Sequence, residues 1–169
     1  MRNYGAISFT GETLAGRFDE QILAGRKTQT IRYPRKDKRP HVKVGDTTKL
    51  YWKMRTKECR LIALVEVTAY EETCLLDMWY DEANAKADGF QDLDEFRIWF
   101  WDPKRTGILT WKQVEPIIKE SVEAVTTMSR DITKEIIIGG GRRFGKSTTM
   151  KIVEYLLEPV YRIKWKHPL

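Results

Sequence analysis

The stretch Gly140-Gly-Arg-Arg-Phe-Gly-Lys-Ser147 has the spacing G-x-x-x-x-G-K-S/T. In a phosphate-binding loop of that spacing, backbone N–H groups cradle phosphates, the lysine reaches the outer ones and the hydroxyl holds Mg2+. Those roles would fall to Lys146 and Ser147, which makes ATP or GTP binding one alternative for this chain. Glu135–Ile138 reads as a strand before the loop, and an amphipathic helix over Lys146–Leu157 follows it. Phosphate-loop enzymes also need a parallel sheet and a later acidic residue for the metal. Only residues 148–169 remain, with one apolar strand and no strand-terminal Asp. A grip on a nucleic-acid backbone by Arg142, Arg143 and Lys146 asks less, since a glycine-rich loop at a helix N-terminus suits an anion without hydrolysis. A solvated basic loop accounts for the same residues equally well.

A second basic run, Arg35, Lys36, Lys38, Arg39 and Lys43, is interrupted only by Asp37 among charged residues. The whole chain carries a formal charge of +6 over 169 residues. Such an excess favours an anionic partner, because binding to phosphates releases their counterions. A soluble protein that merely happens to be basic accounts for the charge equally well, and protein partners are left open. Six tryptophans and seven tyrosines can fill a core or stack on bases, and composition does not separate the two uses. Cys59 and Cys74 lack metal-ligand spacing, and the two histidines, His41 and His167, stand apart in polar segments. Neither a metal site nor a disulfide framework is expected, and no cofactor is called for. No apolar stretch is long enough to span a bilayer, and the first residues lack a leader's apolar segment, so a cytoplasmic chain is the default.

These residues need elements to hold them. Alternation over Tyr4–Phe9 predicts a first strand, and Phe18–Ala24 a short helix stopped by Gly25. Lys27–Arg32 returns to extended backbone, and residues 35–43, with their prolines and charges, form a loop. Thr47–Met54 and Arg60–Tyr70 are β-rich, with Gly45-Asp46 turning into the former. Asp81–Ala87 and Leu93–Trp101 are helical, Asp92 and Glu95 make a capping-box pattern, and Asp102-Pro103 ends the second helix. Trp111–Val125 reads as a third helical stretch that Pro116 kinks or begins. Val160–Trp165 is a last alternating strand. The mixture lacks a βαβα rhythm, which predicts an α+β fold rather than a wound parallel sheet. Length predicts one domain over residues 1–169, with residues 102–159 lying as an insertion before the last strand.

The segment Phe18-Asp-Glu-Gln-Ile-Leu-Ala-Gly-Arg-Lys-Thr-Gln-Thr-Ile-Arg32 resembles the signature of the ASCH family: an aromatic, an apolar helix, then G-x-K-T-x-T-x-R. Val44-Gly45-Asp46 before a strand is similar to that family's VGD turn. Ala87-Asp88-Gly89-Phe90, followed by Asp94-Glu95-Phe96, is similar to its E-G-F helix junction. The likeness covers residues 6–101 and, at the end, Tyr161–Trp165. It implies a PUA-like small β-barrel with flanking helices, a cleft beside the helix-to-strand turn, and RNA or nucleotide binding. One branch of the family resembles small amidohydrolases that remove the acetyl group from N4-acetylcytidine, a modified pyrimidine nucleoside. The catalytic set of that branch is implied to fall on Lys27, Thr30 and Asp88. Beside it, ligand contacts are expected at Arg26, Thr28, Arg32, Arg35 and Lys36, the basic run holding phosphates.

That chemistry is reasonable. A threonine hydroxyl attacks only when a base takes its proton, and a lysine is such a base when burial or a nearby cation lowers its pKa. A carboxylic acid can protonate the leaving amine, and Arg32 can hold a phosphate or carbonyl oxygen. Along a strand Lys27 and Thr30 would face opposite ways, so their cooperation requires a turn between them. The amidohydrolase branch has Glu where this chain has Asp88, and a displacement of about 1 Å can cost ~10²-fold in rate. Structural roles compete with each assignment: Lys27 as a solvated cation at a helix C-terminus, Thr28 and Thr30 as strand residues, and Asp88 as a helix cap.

Overall fold

The computed structural model describes residues 5–106, 110–116 and 146–166. The chain forms two compact units, one of Met1–Phe96 with Pro159–Leu169 and the other of Arg97–Glu158. In chain order the elements are β1 (Ala6–Phe9), β2 (Glu12–Thr13), β3 (Gly16–Arg17), α1 (Phe18–Leu23), β4 (Gln29–Arg32), β5 (Thr47–Trp52), β6 (Arg60–Cys74), α2 (Leu75–Met78), α3 (Glu82–Ala87), α4 (Leu93–Phe100), α5 (Pro103–Thr106), α6 (residues 111–116), α7 (Lys146–Leu157) and β7 (Pro159–Trp165).

The first unit is α+β. Its main sheet runs β1-β5-β6-β7-β4, parallel between β1 and β5 and antiparallel elsewhere. The long β6 pairs with β5 over its first part and with β7 over its second, and the register slips between Val67 and Ala69. A second slip lies opposite Leu50 and Tyr51 of β5, which pair with Ala63 and Leu61 and skip Ile62 of β6. Such irregularities bend strands and increase twist, and the sheet curls into a half-barrel. Its two edges approach each other across the inside. Phe9 of β1 meets Trp165 of β7 edge-on at 6.0 Å. The Arg32 guanidinium of β4 donates to the Ser8 carbonyl of β1 at 2.6 Å. Ile7, Phe9, Leu50, Val65, Ile163 and Trp165 are buried here, under α1 residues Phe18 and Ile22.

Alternation reached only Tyr70, yet β6 continues to Cys74 because Glu71-Glu72-Thr73-Cys74 pairs with Pro159–Arg162. Long-range pairing supplied what local pattern could not. The β2–β3 hairpin and α2 were too short to carry a period. Asp92 caps α4 through a bond from Glu95 N at 2.8 Å. The reciprocal arm expected of a capping box goes elsewhere: the Glu95 carboxylate accepts from Gln91 N at 2.7 Å and from Leu14 N at 2.5 Å. Beyond α4, Pro103 does not simply end a helix but opens α5, as its fixed φ allows.

In the second unit Trp101 packs on Trp111 at 5.7 Å and on Tyr155 at 5.8 Å, and Tyr155 hydroxyl donates to the Phe100 carbonyl. Arg97 lies over the Trp111 ring at 5.4 Å and pairs with Glu115 at 3.9 Å. The expected strand at residues 135–138, the helix beyond residue 116, and Arg142 and Arg143 lie outside the described residues, as do Tyr4 and His167. Lys146 and Ser147 begin α7, and nothing is described of their side chains. No helix among the described residues is long and apolar enough to cross a membrane.

Candidate functional site

Two helix ends build the site. After α1, Gly25 takes φ 70°, the Gly25 N–H donates to Ile22 O at 3.0 Å, and the Arg26 N–H to Gln21 O at 2.9 Å. After α3, Gly89 takes φ 93°, its N–H donates to Lys86 O at 3.0 Å, and the Phe90 N–H to Ala85 O at 3.0 Å. Each is a Schellman ending, with glycine supplying the left-handed residue that closes the helix. The two ends are tied together, because the Thr28 N–H donates to the Ala87 carbonyl at 2.9 Å. Lys27 therefore sits between two helix C-termini, where backbone dipoles favour a cation.

That cation is not solvated, which corrects the reading of Lys27 as a surface charge. Lys27 and Asp88 are each only 2% exposed. The Lys27 ammonium donates to Asp88 Oδ1 at 2.5 Å and also to the Asp88 backbone carbonyl. It lies 4.4 Å from the Phe18 ring centroid and 5.6 Å from that of Phe9, within cation–π range. Gly89 is required here twice over. Its φ is left-handed, and a Cβ would stand 2.9 Å from Gln21 Oε1, 3.2 Å from Lys27 Cδ and 3.3 Å from Phe18 Cδ1. Gln21 in turn donates to Thr13 Oγ1 at 3.1 Å and to the Gly16 carbonyl at 2.7 Å, and the Thr13 hydroxyl to the Gly89 carbonyl at 2.7 Å. The β2–β3 hairpin thus braces the glycine on which Lys27 rests.

Arg32 enters from β4. Its guanidinium lies 5.1 Å from the same Phe9 ring, so Phe9 carries both cations. Asp88 pairs with Lys27, and Arg32 acts on both through its charge. Burial pushes the Lys27 amine down, opposed by Asp88 and aided by Arg32. It pushes the Asp88 carboxyl up against the pull of Lys27 and Arg32, and it also lowers Arg32. The Arg32 Nε–H is buried without an acceptor among the described residues, and so is the Nε1–H of Trp165, whose ring meets Phe9 edge-on. Unpaired buried donors are costly, so both call for an acceptor.

Lys27, Arg32 and Asp88 are therefore brought together, while the remaining candidates scatter. Lys27 precedes β4 and is not part of its alternation, which removes the objection that Lys27 and Thr30 must diverge. Thr30 is buried, shares the face of β4 with Arg32, and makes no hydrogen bond through its hydroxyl among the described residues. No hydrogen bond joins it to Lys27. The Thr28 backbone is structural, its carbonyl accepting from Trp165 N at 3.1 Å. Gln29 turns to the opposite face and binds Asn84 Oδ1 at 2.7 Å. Arg26 and Lys36 are exposed, and Arg35 forms a two-pronged pair with Asp37 at 3.1 Å.

Sequence reasoning missed Phe9, Trp165 and the fully buried Asp19, which takes Arg17 Nε and NH2 at 3.1 and 2.9 Å and is also paired with Arg60. An acid beside the aromatic that opens α1 was a weak signal for Asp19. For Phe9 and Trp165 there was none, because they reach the site from distant strands. No group of three His, Cys, Asp or Glu among the described residues could hold a metal. Comparison with family models, curated proteins and solved structures finds no match to this chain.

Proposed function

We propose that the chain is a nucleotide-recognising domain of the PUA-like, ASCH kind, which takes one nucleotide of an RNA at Lys27, Thr30, Arg32 and Asp88. The observation that carries this is the surplus of donors. Lys27 already takes up the Asp88 carboxylate, Arg32 lies on the same Phe9 ring as Lys27, and the Arg32 Nε–H has no acceptor among the described residues. A phosphate or base carbonyl oxygen supplies what is missing, and guanidinium groups bind such oxygens with directional bonds. Lys27 and Asp88 are closed off from solvent, whereas Arg32 is partly exposed and is the member a ligand meets first. Titration of the protein with short RNA tests it. Arg32→Ala should weaken binding about tenfold or more. Unchanged affinity in both Arg32→Ala and Lys27→Ala would remove the assignment.

A second reading, hydrolysis of N4-acetylcytidine, is favoured by the Lys27–Asp88 contact. Burial moves both groups towards their uncharged forms, an amine able to take a proton and an acid able to give one. Thr30 Oγ would attack the acetyl carbonyl as Lys27 takes its proton. Asp88 would protonate the departing amino nitrogen, and water would then release acetate from the acyl-threonine. The Lys27 amine must leave Asp88 for the threonine when substrate enters. Acetate release by the pure protein, lost in Lys27→Ala, is the expected result; no release from wild type rejects this reading and leaves the first untouched.

A further inference from the structure

Strand register places more than Arg32 on the inner face of the half-barrel. Arg32 stands opposite Tyr161 on β7, and Tyr161 stands opposite Glu72 on β6. Ile163 stands opposite both Thr30 and Tyr70. Residues directly opposed across a sheet project from the same face. Thr30, Arg32, Tyr161 and Tyr70 therefore share one surface, with Thr30 buried and the two tyrosines half-buried beyond Arg32. The tyrosine rings are stacked, with centroids 4.9 Å apart and planes 12° from parallel.

The basic loop between β4 and β5 is fastened to these rings. The His41 ring meets Tyr161 edge-on at 6.4 Å, the His41 N–H donates to the Tyr70 hydroxyl at 3.4 Å, and His41 Nε2 lies 2.9 Å from the Tyr33 carbonyl. Val42, buried, anchors the end of the loop. From Arg32 to Lys43 the chain has six cations and one acid, Asp37. Asp37 is engaged by Arg35, while Lys36, Lys38 and Lys43 form no ion pair among the described residues. Facing the rings from β6 is one acid, Glu72, which accepts from the Tyr161 hydroxyl at 3.3 Å. A flat aromatic pair thus lies beside an arginine with a spare donor and a loop of unpaired positive charge.

We propose that Tyr161 and Tyr70 form a stacking subsite for a base and that the 33–43 loop follows the phosphates of the same strand, so that the partner is single-stranded nucleic acid running past Arg32. This rests on the nucleotide reading of the Arg32 site and names the form of its substrate. Every base has a face that stacks on an aromatic ring, and a duplex hides those faces. An ordinary cross-strand tyrosine pair would stabilise the sheet but would not distinguish single strands from duplexes.

The test is fluorescence anisotropy of the full chain with a labelled RNA of about 12 nucleotides, single-stranded or annealed to its complement, with cytidine monophosphate as a separate probe. The single strand should bind more tightly than the duplex. Tyr161→Leu should weaken the single strand about tenfold, and Tyr161→Phe, which keeps the ring, should restore it. Lys36→Gln with Lys38→Gln should flatten the salt dependence of single-strand binding by roughly 0.7 in slope for each phosphate no longer neutralised. Equal affinity for single strand and duplex, or a silent Tyr161→Leu, overturns the inference. If cytidine monophosphate still binds in an Arg32-dependent way, only the stacking subsite falls; if neither probe binds, the nucleotide reading falls with it.

Discussion

Replacing Asp88 by Asn should leave a lysine ammonium buried with a backbone carbonyl, a second cation and two aromatic rings as company. The substitution keeps the shape of the side chain and removes its charge. Truncating one member of a buried pair usually costs about 3–5 kcal/mol, because the other charge loses its compensation. The structure sets a ceiling on that cost, since the amine can give up its proton. A free lysine has a pKa of about 10.4, so neutralising it at pH 7 costs at most about 4.6 kcal/mol, and at pH 9 about 1.9 kcal/mol. The sign follows from proton counts. With the folded-state pKa of Lys27 pushed below its unfolded value, the unfolded chain binds more protons, and stability rises with pH across that interval. Wild-type Lys27 is already lowered by burial, but Asp88 opposes that shift, and the variant removes the opposition. Urea unfolding of wild type and Asp88→Asn at pH 7 and pH 9 would measure the difference through the midpoint at constant m. The expected loss is about 3–4.6 kcal/mol at pH 7, shrinking by pH 9. A companion Lys27→Met, Asp88→Leu variant should fall within about 1 kcal/mol of wild type, since apolar replacement of a whole buried pair is often neutral. A loss below about 1 kcal/mol at pH 7, or one that does not change with pH, would refute the claim that Lys27 is held charged by Asp88.

Other expectations follow from the same geometry. Gly89→Ala should cost about 1–3 kcal/mol, seen as a lower melting temperature, because its φ is left-handed and its Cβ would press on Gln21 and Lys27. The ring of His41 should titrate below the usual histidine range in a two-dimensional NMR experiment, since burial and the nearby Arg32 and Arg35 disfavour its charge. Its contribution to holding the loop is then full above the free-histidine value of about 6.5 and is lost as pH falls from there through the ring's own lower midpoint; a midpoint above about 6.5 would contradict the packing against Tyr33 and Tyr161. Asp81→Ala should destabilise the first unit by about 1 kcal/mol in urea, through loss of the N-cap bond from Asn84 N at 3.0 Å.

Much of the site was legible in the order of residues because its parts are local. An apolar helix ending in Gly25, a glycine after α3, and a lysine and arginine flanking a short strand are features of backbone propensity and spacing. Glycine at a helix end can be read without knowing what it packs against, and so can the α+β mixture of strands and helices. The second Gly, Gly89, was visible as a junction, but not as the place where Lys27 comes to rest.

The tertiary structure decided what those residues do. It brought Asp88 from the end of α3 onto Lys27 by joining two helix ends through Thr28 and Ala87. It carried Phe9 and Trp165 in from β1 and β7, and these pairings lie too far apart in sequence for any local period to announce them. It also turned a lysine that reads as a surface charge into a buried one, because burial is a property of what surrounds a side chain and not of the side chain itself. The pairing of β7 with β4 on one side and β6 on the other placed Arg32, Tyr161 and Tyr70 on one inner surface. Sequence alone determined the helix ends and the charges; the pairing of distant strands determined which charges meet.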